Sequence, residues 1–91
     1  MALLRLSGYG SGMPNVDRAV ALALTRRLVA NGEARAIREL NHLSRADVAT
    51  AVGASSTAVW RWERGDRVPR GLPALRYGEL LAVLSGLVTE E

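Results

Sequence analysis

The chain has no cysteine, which excludes a disulfide framework and a thiolate zinc site. Its one histidine, His42, cannot build a metal site with ordinary ligands and is expected to be a loop residue without a chemical role. No metal and no cofactor is therefore expected. Lysine is absent too: all twelve basic residues are arginine, set against nine acids for a formal net charge of +3. No apolar run reaches the roughly 18 to 20 residues that span a bilayer, because Arg18, Arg26 and Arg27 interrupt the Ala/Val/Leu-rich stretch. The opening "MALLRLSGYGSGMPN" has too short an apolar segment for a secretory signal, so a cytoplasmic location is expected. With no carboxylate pair at helical spacing and no glycine-rich phosphate loop, no nucleophile and base can be assigned, and an enzyme is not expected. Strand signals and internal repeats are likewise missing.

What remains is a chain of 91 residues, enough for one small core. Gly8, Gly10, Ser11 and Gly12 discourage regular structure, so residues 1–14 are read as a flexible arm and 15–91 as one helical domain. Asn15 can cap a first helix over 16–30, in which Val16, Val20, Leu24 and Leu28 recur every four residues until Asn31 and Gly32 stop it. A second helix over 33–41 is expected to bury Ala34, Ile37 and Leu40, and to break at residues 42–44. Ser44 then caps "RADVATAV", with Asp47 completing a capping box, and that helix ends at Gly53. Ser55 caps a fourth helix that runs to Arg64 and is stopped by Gly65 and Pro69. Pro73 suits the first turn of a last helix with an apolar stripe of Leu75, Leu80, Leu81, Leu84 and Val88, in which Gly78 is a point of possible breakage. Leu84, Leu87 and Val88 are candidates for a subunit contact.

The segment from Arg45 to Arg64 decides the reading. Two short helices joined through a glycine must cross with their backbones close, which needs a small residue in the first helix, a glycine in the turn and apolar residues at the buried positions. Ala49, Gly53 and the set Val48, Val52, Ala54, Val59 and Trp62 meet those needs. This is the spacing of a helix-turn-helix, whose second helix enters the major groove of DNA. Residues 35–69, "RAIRELNHLSRADVATAVGASSTAVWRWERGDRVP", resemble the Cro and phage-repressor (XRE) family, with its leucine-serine opening, alanine-glycine core and Glu-Arg-Gly ending before proline. The resemblance implies an all-α, lambda-repressor-like bundle of about five helices, to which the N-terminal helix is an addition. Arg45 stands where the family usually has glutamine, Trp60 where a small or polar residue is usual, and Trp62 where isoleucine or leucine is usual.

The two tryptophans are one residue apart, about 200° around a helix, so they cannot share a face. Counting from Ser56 at about 100° per residue, Ser56, Thr57, Trp60, Arg61 and Arg64 fall within about 140° of arc, with Ala58, Val59, Trp62 and Glu63 opposite. Trp62 is accordingly expected in the core and Trp60 on the nucleic-acid face. There it has three readings: against a sugar or thymine methyl, over a neighbouring side chain, or in a protein contact. Ser56, Thr57, Arg61 and Trp60 are the candidate base contacts, with Arg61 able to bond guanine O6 and N7 together. Arg45, Arg64, Arg67 and Arg70 are candidate phosphate contacts, and the resemblance adds the helix starts Ser44 and Ser55. It also implies an ion pair between Arg38 and Glu63 that fixes the recognition helix and orients Arg38 toward a phosphate.

The expected function is thus a sequence-specific regulator that binds double-stranded DNA, as a homodimer on a two-fold operator, and represses by occlusion. Two alternatives stand beside it. One is an antitoxin or other interaction module, whose extra N-terminal or C-terminal segment, the N-terminal helix foremost, engages a protein partner while the helix-turn-helix autoregulates. The other is an excisionase-type architectural factor, which requires β-strands after Gly65.

Overall fold

The computed structural model describes residues 14–86; the arm expected over 1–14 lies outside them except for Pro14, as do Leu87 and Val88. The described chain is all-α: α1 Pro14–Ala30, α2 Glu33–Leu40, α3 Arg45–Val52, α4 Ser56–Arg64 and α5 Gly71–Leu84. Residues 66–70 are loop and α5 follows directly, so among the described residues there are none of the strands that an excisionase would require after Gly65. No helix among the described residues is long and apolar enough to cross a membrane.

The punctuation of the sequence sets most of these limits. At the start of α3 the Ser44 hydroxyl accepts from the Asp47 N–H at 2.9 Å, while the Asp47 carboxylate accepts from the Ser44 N–H at 2.8 Å. The bond from the Ser44 backbone N–H, and after it the Ser44 side chain, favour the ionised carboxylate and hold Asp47 below the usual aspartate range. Ser55 caps α4 in the same way, accepting from the Ala58 N–H at 3.0 Å. Between the two helices Gly53 adopts φ +79°, a left-handed conformation open to glycine, and the N–H groups of Gly53 and Ala54 both donate to the Ala49 carbonyl.

One core joins all five helices: Val29 from α1, Ala34 from α2, Val48, Ala49 and Val52 from α3, Val59 and Trp62 from α4, and Tyr77 and Leu81 from α5. Within this cluster Trp62 and Tyr77 are tilted rings with centroids 5.4 Å apart. The Tyr77 hydroxyl is buried without a hydrogen-bond partner, and burial, with Glu63 nearby, pushes its pKa up to about 12.

Three expectations need correction. Leu40 is not buried but 77% exposed, because it lies about 240° around α2 from Ala34, and the inward place one turn on from Ala34 goes to Arg38. On α1, which starts at Pro14 rather than being capped by Asn15, the buried positions are Thr25 and Val29. Val16 is largely exposed, and Val20, Leu24 and Leu28 are half-buried. A four-residue spacing drifts by about 40° per step, so a run of four such residues spirals off any one face. Finally, α5 does not break at Gly78. A Cβ there would collide with the Thr25 hydroxyl, so Gly78 serves a close approach of α5 to α1.

Candidate nucleic-acid interface

On α4 the observed burial follows the expected phase. Ser56, Thr57, Trp60, Arg61 and Arg64 are exposed, Val59 and Trp62 are buried, and Ala58 and Glu63 sit at the two edges. Trp62 is 5% exposed and Trp60 is 40% exposed. The helix therefore offers solvent a strip of two hydroxyls, two guanidinium groups and one indole.

Within that strip Trp60 and Arg64 are coupled. The Arg64 guanidinium lies 4.7 Å from the indole centroid, and its Nε donates to Asp66 at 3.0 Å. Arg64 is thus folded back along the protein between an aromatic face and a carboxylate, leaving its terminal nitrogens for a phosphate. Arg61 has no carboxylate partner among the described residues, and its five donors are free for a base edge.

At the edge of α4 the Glu63 carboxylate, 3% exposed, is gripped by two arginines. Arg38 donates to it from Nε at 2.6 Å and from Nη2 at 3.0 Å, and its Nη1 donates to the Leu43 carbonyl at 2.9 Å. The bond to Glu63 raises the Arg38 pKa further above its ordinary value. The expected pair is present, but Arg38 is buried with every nitrogen engaged by the protein, so it is not placed to meet a phosphate. Its part is to lock α4 to α2 and to the start of α3. Arg45 approaches the same carboxylate through Nε at 3.1 Å and remains 38% exposed. With Nε anchored, its terminal nitrogens stay available, which suits a phosphate contact that is aimed in advance.

The other expected phosphate contacts divide into two groups. Ser44 and Ser55 use their hydroxyl oxygens as acceptors in the caps, and both residues are exposed at the helix starts that flank the turn. Arg67 and Arg70 sit in the loop after α4, exposed and without a carboxylate partner among the described residues. His42 is exposed in the turn between α2 and α3.

Arg76 was not a sequence candidate. It lies on α5, 23 residues beyond Gly53, yet its Nη1 stands 2.9 Å from where a Cβ on Gly53 would be. Nothing in local spacing points to that approach. Away from α4, the half-buried Leu24, Leu28, Ile37 and Leu75 line an open apolar groove between α1, α2 and α5 of about 850 Å³. Compared with protein-family models, with curated proteins and with solved structures, the chain matches none.

Proposed function

We propose that this protein is a sequence-specific regulator of transcription that binds duplex DNA in the manner of the Cro and phage-repressor family. In this proposal α4 lies in the major groove and repression follows from occlusion of the operator. The observation that carries the reading is the division of α4: Ser56, Thr57, Trp60, Arg61 and Arg64 occupy one exposed arc, and Val59 and Trp62 fasten the opposite arc to the core. Arg61, Ser56 and Thr57 read base edges, and Trp60 lays its apolar ring against a sugar or thymine methyl. Arg45, Arg64, Arg67, Arg70 and the cap hydroxyls of Ser44 and Ser55 hold the phosphates and fix the register. Two copies on a two-fold operator, with half-sites about one helical turn apart, double both the contacts and the sequence read.

Selection of bound duplexes from a random pool, followed by salt titration of the selected sequence, tests the proposal. A palindromic consensus and an affinity that falls steeply with salt are expected. Equal affinity for all duplexes with no salt dependence overturns it. A second reading, an interaction module with an autoregulatory helix-turn-helix, draws support from the apolar groove against α1. A stoichiometric partner that co-purifies and shields residues 15–32 from proteolysis favours that reading.

A further inference from the structure

A helix lodged in a major groove has a sugar-phosphate strand on each side, so a phosphate grip on one flank alone leaves it free to roll. On α4 the flanks are marked by Glu63, about 340° around from Ser56, and by Ala58, at about 200°. The Glu63 flank carries Arg45. Beside Ala58 and Trp62 lies an open cleft of about 710 Å³, whose wall also includes Gly53, Ser55, Arg67 and Arg70.

The charges around this cleft are unbalanced. Its one acid, Asp66, is already bonded by Arg64 at 3.0 Å. Arg67, Arg70 and Arg76 have no carboxylate partner among the described residues. Arg76, on α5, is not part of the cleft wall but brings its guanidinium beside Gly53, which is: Nη1 stands 2.9 Å from where a Cβ on Gly53 would be. Gly53 is required by its left-handed φ of +79°, and a methyl group there would push the Arg76 guanidinium aside. Two loop arginines and the Ser55 hydroxyl in the wall, with Arg76 beside it, thus give the cleft an excess of cationic donors suited to an anion.

Building on the DNA-binding reading, we propose that this cleft holds backbone phosphate of the strand opposite to the one gripped by Arg45, with Arg76 as one of its arms. The two flanks then clamp both walls of the groove and set the angle at which α4 presents Arg61.

The test uses the full chain with Arg76→Ala, Arg76→Lys and Arg45→Ala, each checked for an unchanged melting temperature. Arg76→Ala is expected to weaken binding to selected and random duplexes alike by about three- to tenfold, and to lower the salt slope by about 1. Arg76→Lys, which keeps the charge, is expected to retain the slope. Duplexes in which single phosphates are replaced by neutral methylphosphonates then assign the strands. Arg76→Ala becomes indifferent to a replacement on one strand, and Arg45→Ala to a replacement on the other. An unchanged affinity and slope for Arg76→Ala, or both arginines mapping to one strand, overturns the proposal while leaving DNA binding intact. A wild-type chain that binds no duplex overturns both.

Discussion

Arg38 closes a two-bond fork on the buried carboxylate of Glu63, at 2.6 and 3.0 Å, and so ties α4 to α2. A buried pair is not in itself a large source of stability, but removing Arg38 leaves the buried carboxylate with only the single bond from the half-exposed Arg45. Arg38→Ala is expected to destabilise the fold by about 3 to 5 kcal/mol in chemical denaturation. Arg45→Ala leaves Glu63 its closer partner, so it is expected to alter stability by less than about 1 kcal/mol. Its effect should appear in DNA affinity. Equal stability losses for the two variants would contradict the division of roles.

The tryptophans give opposite expectations. Trp62→Ala removes the ring packed on Tyr77 and should cost about 3 to 5 kcal/mol. Trp60→Ala forfeits the stacking with Arg64, about 0.5 to 1 kcal/mol at an exposed site, and should chiefly change DNA binding. If Trp60→Ala unfolds the domain, the phase assigned to α4 is wrong, and the base-reading role of Arg61 falls with it.

Tyr77 introduces an alkaline limit. Its folded pKa, about 12, lies above the ordinary tyrosine value near 10, so its contribution to stability is complete below pH ~10 and is lost as pH rises toward 12. Tyr77→Phe should remove this limb from the pH profile of unfolding. Because the buried hydroxyl has no hydrogen-bond partner, the variant should be as stable as wild type at pH 7, or more so. A loss above about 1 kcal/mol at neutral pH would show that the hydroxyl is bonded after all.

Gly78→Ala should run against helix propensity. On an unencumbered helix the change gains up to about 1 kcal/mol, but here the new methyl meets the Thr25 hydroxyl, and overpacking of that kind costs about 1 to 3 kcal/mol. A lower melting temperature is expected, with recovery when Thr25→Ala is added. Additivity of the two changes would place the close approach elsewhere.

Selection from random duplexes should separate reading from holding. Arg61→Ala is expected to relax one base position, a discrimination of about 1 to 3 kcal/mol, whereas Arg67→Ala should weaken all sequences alike. The reverse pattern would exchange their roles.

The limits of α3 and α4 and the face of α4 were legible because they depend on residues a few positions apart. Ser44 with Asp47, Ser55, Gly53 and Gly65 each act within one turn of helix. The positions that escaped are those whose environment comes from another helix. Arg38 was expected to pair with Glu63 and also to face a phosphate; its burial, with every nitrogen taken by Glu63 and the Leu43 carbonyl, depends on a partner 25 residues on. Gly78 read as a weakness because its neighbour, Thr25, belongs to α1. Tyr77 was not among the expected core residues, and Arg76 comes to the helix-turn-helix from an element outside the motif.

The bond from Arg26 Nε to the Pro69 carbonyl, at 3.0 Å, spans 43 residues and fastens α1 to the loop that carries Arg67 and Arg70. The N-terminal helix, which the family resemblance leaves unexplained, is therefore a strut for the arginine loop rather than an appendage. Trimming the chain to a minimal helix-turn-helix at residue 32 would remove that brace, so a truncated protein that binds DNA weakly would report a slackened loop, not a missing contact.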